Sequence, residues 1–377
     1  AFQVYPTSLL KNLSNYYDDR NTSAPYFLFN TALSLKNSDG DERFKGGQVT
    51  DHFLLSPIFC GSKITGFVPN DRYWDYGRLT LMDAIQISAS KLTLGVRPEG
   101  VFKLLSPLKS FTRVFGKIFN FNEYIFWVSN PLILVKSRAI VWWPIYYFRE
   151  LFNRMGTSEK FVAISDGANF ENLGVFPLLQ RKCKIILALD SSFDPEFKFD
   201  DLRKLIVRAQ NELGLTITFR HELTPEEVIA PKPTTAYSDQ RYAIADVIQL
   251  WEDKIVLNPE TGVEESVPVR VNRPISILVY AKASIRIPAE PTELVDYRDG
   301  LKYGTYKYKI YNAAFPHEED AMNLINDPIQ WEAYFQLGQA LATEAIMGEE
   351  ADEADYEPRA ITFEHLAARF KKQKKGD

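Results

Sequence analysis

Hydrophobic and polar positions between residues 160 and 220 follow two periods in turn. The apolar run FVAIS (161–165) predicts a buried strand, and KIILALD (184–190) predicts a second one. Apolar residues recur at helical spacing in NLGVFPLLQRK (172–182) and in PEFKFDDLRKLIVRAQNELG (195–214), which ends in a glycine. Strand and helix therefore alternate. This order predicts an α/β fold with a central, mostly parallel sheet flanked by helices.

Other parts of the chain carry weaker patterns of the same two kinds. In the last predicted helix, Trp331, Phe335 and Leu341 fall along one side, together with Tyr334 and Gly338. The Pro- and charge-rich stretches between the later strands are expected to be long surface loops. The predicted strands are 25–35, 53–61, 215–219 and 274–285, and the predicted helices are 79–89 and 320–346.

Residues 104–152 are unusually dense in aromatic and apolar side chains. Prolines and basic residues interrupt this segment, so no apolar run reaches the roughly 18–20 residues that a membrane-spanning helix needs. Buried helices that cap a core are the favoured interpretation. The alternative is an insert that faces an acyl chain or a membrane, because Trp127, Trp142, Trp143 and Tyr146 would suit an interfacial belt.

Composition narrows the class of protein. Hydrophobic residues make up 45% and aromatic residues 14% of the 377 residues, which excludes a disordered chain. The net charge of −5 argues against a nucleic-acid binder. Cys60 and Cys183 form no C-x-x-C pair, so a disulfide scaffold or a structural zinc site is not expected, and a reducing, intracellular compartment is favoured. We predict no metal and no cofactor. Residues 347–377 are expected to form a charged, solvated tail.

Two groups of titratable residues receive structural interpretations. Asp190, Asp194, Asp200 and Asp201 lack the spacing of a calcium loop, and we expect them to form a solvated loop and a helix N-terminus. For His317 we favour structural hydrogen bonding over catalysis.

Asp166 is the candidate catalytic residue. It directly follows the predicted strand 161–165, and the small residues Gly167 and Ala168 come next, where the backbone can turn tightly towards another loop. Catalytic groups often lie at such carboxyl ends of strands. The carboxylate could accept a serine proton as general base or orient a histidine. The alternative is an aspartate that opens a turn or caps the following helix.

The surroundings of Asp166 resemble the C-terminal catalytic block of patatin-like phospholipases, particularly the large bacterial-type members. In that family, an Asp-Gly-Gly or Asp-Gly-Ala motif supplies the aspartate of a Ser–Asp dyad. Ala168 matches the second form, whereas Asn169 replaces a frequent histidine. The similarity covers most of residues 24–345. It is carried by SDGANFENLGVFPLLQRKCKIILALDSSFDP (165–195), PYFLFNTALSL (25–35), SPIFCGSKITGF (56–67), LTLMDAIQIS (79–88), YYFRELFNR (146–154) and AFPHEEDAMNLINDPIQWEAYFQLG (314–338).

One family motif is missing. The family's nucleophile is the serine of G-x-S-x-G, preceded by a Gly-rich loop that donates to the oxyanion, and neither motif occurs in this chain. Ser62, Ser88, Ser90 and Ser158 all lack the flanking glycines. The resemblance therefore implies that residues 1–346 form the C-terminal half of a patatin-like domain, incomplete without an N-terminal half. A first residue other than Met fits a processed product or a piece of a longer polypeptide.

The resemblance implies a lipid acyl hydrolase in which Asp166 is the base and the serine comes from a preceding segment or chain. The expected partners are a lipid ester substrate, that N-terminal half and a membrane surface, with peripheral association to the membrane. The alternative is a non-catalytic patatin-fold subunit that acts as a scaffold in a membrane-associated assembly.

Overall fold

Two compact units make up the chain, Ala1–Gly174 and Val175–Asp377. The structure of the protein is a computed structural model. Both units contain helices and strands, so the predicted mixed α/β class is confirmed. The described residues are 8–16, 25–34, 50–71, 78–89, 126–129, 131, 145, 149, 156, 159–220, 224–257, 264–286, 308–309, 312–318, 328–347 and 366–368.

The first unit is built on a six-stranded sheet in the order β4-β3-β2-β1-β6-β5, and every pair in it is antiparallel. Its strands are β1 (Phe29–Ser34), β2 (Thr50–Leu55), β3 (Phe59–Ser62), β4 (Gly66–Pro69), β5 (Phe126–Ser129) and β6 (Phe161–Asp166). Helical elements within its described residues include α1 (Leu81–Ser88) and the 3-10 helices Leu10–Tyr16 and Gly167–Asn169.

Helix α1 covers the middle of this sheet. Thr80 caps its start in a capping box, because the Thr80 hydroxyl accepts from the Asp83 N–H and the Asp83 carboxylate accepts from the Thr80 N–H. Ala84 and Ile87 on its inner face are fully buried in a cluster with sheet residues that include Ile164 of β6. The sequence prediction of a helix at 79–89 is thus confirmed.

The second unit contains a four-stranded sheet in the order β7-β10-β9-β8. Its strands are β7 (Ile185–Asp190), β8 (Leu215–Phe219), β9 (Tyr242–Leu257) and β10 (Glu264–Lys282). Helices among its described residues include α2 (Phe176–Gln180), α3 (Asp200–Leu213), α4 (Pro225–Val228) and α5 (Pro328–Met347). Helix α3 ends at Gly214, whose left-handed conformation (φ of 63°) suits a glycine that terminates a helix.

The prediction of a mostly parallel sheet is wrong. Of the eight strand pairs among the described residues, only β7 with β10 is parallel. Strands β7 and β8 do run in the same direction on either side of α3, as the strand–helix–strand pattern requires. They are not neighbours, however, because the antiparallel hairpin of β9 and β10 lies between them.

That hairpin occupies a region expected to be largely loop. Strand β9 is 16 residues long and β10 is 19, so β10 starts well before the predicted 274–285. The halves near the sheet are buried, as at Val247 and Val279, whereas the outer halves are exposed, with Ile255 72% accessible. Charged residues in the outer halves made these strands look like loops in the sequence.

Helix α5 buries only part of the apolar side named from the sequence, Leu341 and in part Tyr334. Ala333, Leu337 and Leu341 pack against the sheet and its neighbouring loops, whereas Trp331 and Phe335 are 65% and 61% exposed. The helix is apolar on both sides, so helical spacing alone did not identify the buried one.

Little of the aromatic segment 104–152 can be compared with its prediction. Residues 126–129 form strand β5, which pairs with β6, so buried helices do not account for the whole segment. Most of this segment, and most of the tail 347–377, lie outside the described residues. Within the described ranges, no helix is both long and apolar enough to cross a bilayer.

Candidate functional site

Asp166 is the last residue of β6, with its carboxylate half-exposed after five buried strand residues. It pairs with Thr31 of β1. Its Oδ1 accepts a hydrogen bond of 2.9 Å from the Ala168 N–H, so Asp166 caps the short 3-10 helix that follows. The alternative interpretation of Asp166, an aspartate that caps the following helix, is therefore confirmed. The same hydrogen bond also gives the carboxylate a defined orientation at the strand end.

Gly167 is required by the close approach of two strands. A Cβ at this position would lie 2.5 Å from the main-chain oxygen of Asn30 in β1, far inside van der Waals contact. Only a glycine lets the backbone pass this carbonyl. Ala168, by contrast, is exposed. The predicted tight turn is thus present, and β1 is the segment that it approaches.

The segment that follows Asp166 is tied to β1 and β2. The side-chain Nδ2 of Asn30 donates to the Glu171 carbonyl over 2.7 Å, and the Thr50 hydroxyl donates to the Asn169 carbonyl over 3.2 Å. The rings of His52 and Phe170 lie 5.5 Å apart. Residues 166–171 therefore form an anchored turn, which is the kind of support that a preorganised site needs.

Two serines of this unit have defined roles. Ser62 is fully buried, and its hydroxyl lies 2.9 Å from that of Thr65. Ser88, at the end of α1, is half-buried and donates to the Asn30 carbonyl over 2.7 Å. Ser90 and Ser158 lie outside the described residues.

A second cluster of titratable groups lies in the other unit, around a fully buried lysine. The Lys282 ammonium lies 3.0 Å from Asp190 Oδ2 and 3.5 Å from Asp194 Oδ2. The Ser192 hydroxyl is 3.3 Å from Lys282 Nζ, and the Tyr280 hydroxyl donates to Asp190. Asp190 is therefore not part of a solvated loop as expected: it pairs with Lys282 inside the protein.

The pKa of Asp190 reflects two opposing influences. Burial alone would raise it, but the Lys282 charge and hydrogen bonds from Ser192 and Tyr280 bring it below the usual value. For Tyr280, burial and the negative charge of Asp190 raise the pKa. The carboxylate is thus ionised and the phenol neutral at neutral pH. A lysine within the apolar run of β10 was the sequence signal that could have indicated this cluster.

His317 has the structural role that was favoured. It is buried, its Nδ1 accepts from the Asp194 N–H over 3.3 Å, and its ring lies edge-on to Phe197 at 4.8 Å. Burial and the nearby Lys282 charge lower its pKa to about 4, against the weaker opposing influence of Asp194. His317 is therefore neutral at pH 7.

No group of three or more His, Cys, Asp or Glu side chains placed to hold a metal ion occurs in the described ranges. Asp200 and Asp201 lie in the first turn of α3, as predicted, where carboxylates favour the helix dipole.

Comparisons with known proteins give similarity at the level of solved structures. No protein-family model matches the chain, and no curated protein sequence matches it. Among solved structures, the chain is similar to human GIVD cytosolic phospholipase A2, with a TM-score of 0.49 and 12% sequence identity. The match covers 98% of this chain and 47% of that one, so the chain spans about half the length of this neighbour.

Proposed function

We propose that this chain is part of a serine acyl hydrolase of the patatin-like type, acting on lipid esters, with Asp166 as the general base. The observation that carries the proposal is the half-exposed carboxylate at the end of β6, oriented by the Ala168 N–H within an anchored turn. A base must be oriented before it can transfer a proton efficiently. The motif SDGANFENLG supplies the resemblance to the family.

In the proposed reaction, a serine hydroxyl attacks the acyl carbonyl of the lipid while Asp166 accepts its proton. The alcohol leaves with a proton from Asp166, which gives an acyl-enzyme. Asp166 then takes a proton from water, which attacks the acyl-enzyme, and returns that proton to the serine oxygen as the fatty acid is released. Because G-x-S-x-G is absent from this chain, we propose that a preceding segment or a second chain supplies the serine.

Labelling with a fluorophosphonate tests this function in the intact source protein. The reagent reacts with an activated serine, so Asp166→Ala should abolish labelling and ester hydrolysis together. The matched control is Asp83→Ala, which removes another capping carboxylate of the same unit, at the start of α1. Labelling and hydrolysis that persist in Asp166→Ala would refute the role of Asp166.

A non-catalytic scaffold in a membrane-associated assembly is the second candidate, favoured by the absence of a G-x-S-x-G serine from this chain. It predicts that the intact source protein shows no fluorophosphonate labelling at all. Both candidates include a membrane surface as partner, which we propose from the aromatic segment 104–152. Co-sedimentation with phospholipid vesicles tests it, and a chain that stays in the supernatant would contradict it.

A further inference from the structure

We propose that Asn30 is the positioning residue for Asp166. This inference builds on the proposed function, since positioning matters for a carboxylate that transfers a proton. Asn30 lies in β1, beside the strand that carries Asp166, and the residue is 9% exposed. Its residue type is unexpected at a buried strand position, and its side-chain amide donates to the turn after β6.

Three segments meet at Asn30. Its Nδ2 donates to the carbonyl of Glu171, at the far end of the turn that Asp166 begins. Its own carbonyl accepts from the Ser88 hydroxyl at the end of α1. The same carbonyl is the atom that a Cβ at Gly167 would meet at 2.5 Å. Asn30 thus fixes both ends of the turn, its start by close packing and its end by a hydrogen bond.

The unused half of the Asn30 amide indicates what the residue is for. Its Oδ1 is buried and has no hydrogen-bond partner among the described residues. A buried acceptor without a partner costs about 1–3 kcal/mol, so an asparagine is a poor choice for stability at this position. What the side chain does contribute is the N–H donor to Glu171.

Loss of the Asn30 donor should loosen the turn 166–171, whose own residues stay unchanged. The Glu171 carbonyl would lose its bond to β1, and the Asp166 carboxylate would no longer be held in one orientation. A displacement of about 1 Å in a reacting group can cost on the order of 100-fold in rate. For Asn30→Ala we therefore expect a kcat lower by about 10- to 100-fold with an unchanged KM, because Asn30 is buried and its side chain bonds to the turn.

A spectroscopic measurement tests the positioning without any enzymatic activity. Gly167–Ala168 is the single Gly-Ala step in the sequence, so labelling the full chain with ¹³C′-glycine and ¹⁵N-alanine selects one amide, that of Ala168. This amide is the donor to Asp166. Asp166→Ala should displace its resonance strongly in the otherwise unchanged chain. In the Asn30→Ala background, the same substitution should displace it less than half as far.

Two variants serve as controls. Asn70 is also a buried asparagine of this unit, and its Nδ2 donates to the carbonyls of Ser56 and Pro57, away from Asp166. Asn70→Ala should therefore lower stability and leave both the Ala168 displacement and kcat unchanged. Asn30→Asp keeps the size of the side chain but removes the donor, and it should behave like Asn30→Ala.

The role of Asn30 would be overturned if Asp166→Ala displaced the Ala168 resonance as far in the Asn30→Ala background as in the wild type. Wild-type behaviour of Asn30→Asp would overturn it as well. These outcomes are distinct from failure of the proposed function. If the intact source protein shows no fluorophosphonate labelling, the hydrolase proposal fails, while the Ala168 resonance still decides whether Asn30 positions the carboxylate.

Discussion

Replacement of the buried Lys282 by methionine should be among the most damaging single substitutions in the second unit. Lys282 and Asp190 have side chains that are 1% and 2% exposed, and their charges lie 3.0 Å apart. Removal of one partner from a buried ion pair leaves an uncompensated charge and typically costs about 3–5 kcal/mol. We therefore expect Lys282→Met to lower the free energy of unfolding of this unit by about that amount.

The pH dependence of this loss identifies its cause. With Lys282 gone, burial raises the pKa of Asp190 above its unfolded value, so the folded variant holds a proton that the unfolded chain releases. Its stability should therefore fall as the pH rises from about 4 towards 7. In the wild type, the pKa of Asp190 is below its usual value, and this carboxylate loses its stabilising effect only as the pH falls below about 4.

Pulse proteolysis over a urea series, with mass-spectrometric detection of peptides from Val175–Asp377, measures the stability of this unit separately. Lys204→Met is the matched control, because Lys204 pairs with Asp201 at 3.1 Å on the surface and should contribute at most about 0.5 kcal/mol. Lys282→Met/Asp190→Asn should recover much of the stability, since no buried charge remains in this pair. Equal losses in the Lys282 and Lys204 variants would refute the reasoning.

Substitutions of His317, Gly167 and Gly338 should change stability in three different ways. Because the pKa of His317 is about 4 in the folded state, the wild type's free energy of unfolding should fall by about 3 kcal/mol as the pH falls from 6.5 to 4. His317→Gln should abolish this fall. Urea unfolding at several pH values measures it, and a variant with the wild-type pH dependence would contradict it. Gly167→Ala should destabilise the first unit by about 1–3 kcal/mol, because its Cβ meets the Asn30 carbonyl. Gly338→Ala should stabilise the second unit by about 0.5–1 kcal/mol, since a Cβ there meets no atom within 4 Å in the interior of α5. The same proteolysis series measures both glycine variants, and a stable Gly167→Ala or a destabilised Gly338→Ala would be contrary results.

Local patterns predicted elements well where a single face is buried. Strand β7, helix α3 and helix α1 all form within the predicted ranges, because buried apolar residues recur with the period of the element in each segment. The pairing of strands was not predictable in this way. Two parallel strands joined by a helix can be neighbours or can have other strands inserted between them, and the inserted hairpin of β9 and β10 comes later in the sequence.

At the candidate site too, local features were predictable from the sequence and long-range contacts were not. Asp166 and Gly167 were identified because an acid and a glycine at the end of an apolar run are visible in one short stretch. Asn30 was not, because its importance arises from contacts with Ser88 and Glu171, which lie 58 and 141 residues away. Contacts over such separations leave no periodic signal in a single sequence.

The long ribbon of β9 and β10 implies that the second unit does not open as one piece. Its pairing changes register between Arg270 and Arg273 and again between Pro274 and Ser276. Beyond these irregularities, the ribbon has two strands and little buried surface, and such a ribbon is only marginally stable alone. Its outer amides, around Ile255, should therefore exchange with solvent by unzipping from the tip. Those beside Val247 and Val279 should exchange only when the whole sheet opens. We therefore expect the register shifts to mark the border between two cooperative folding units within one continuous pair of strands.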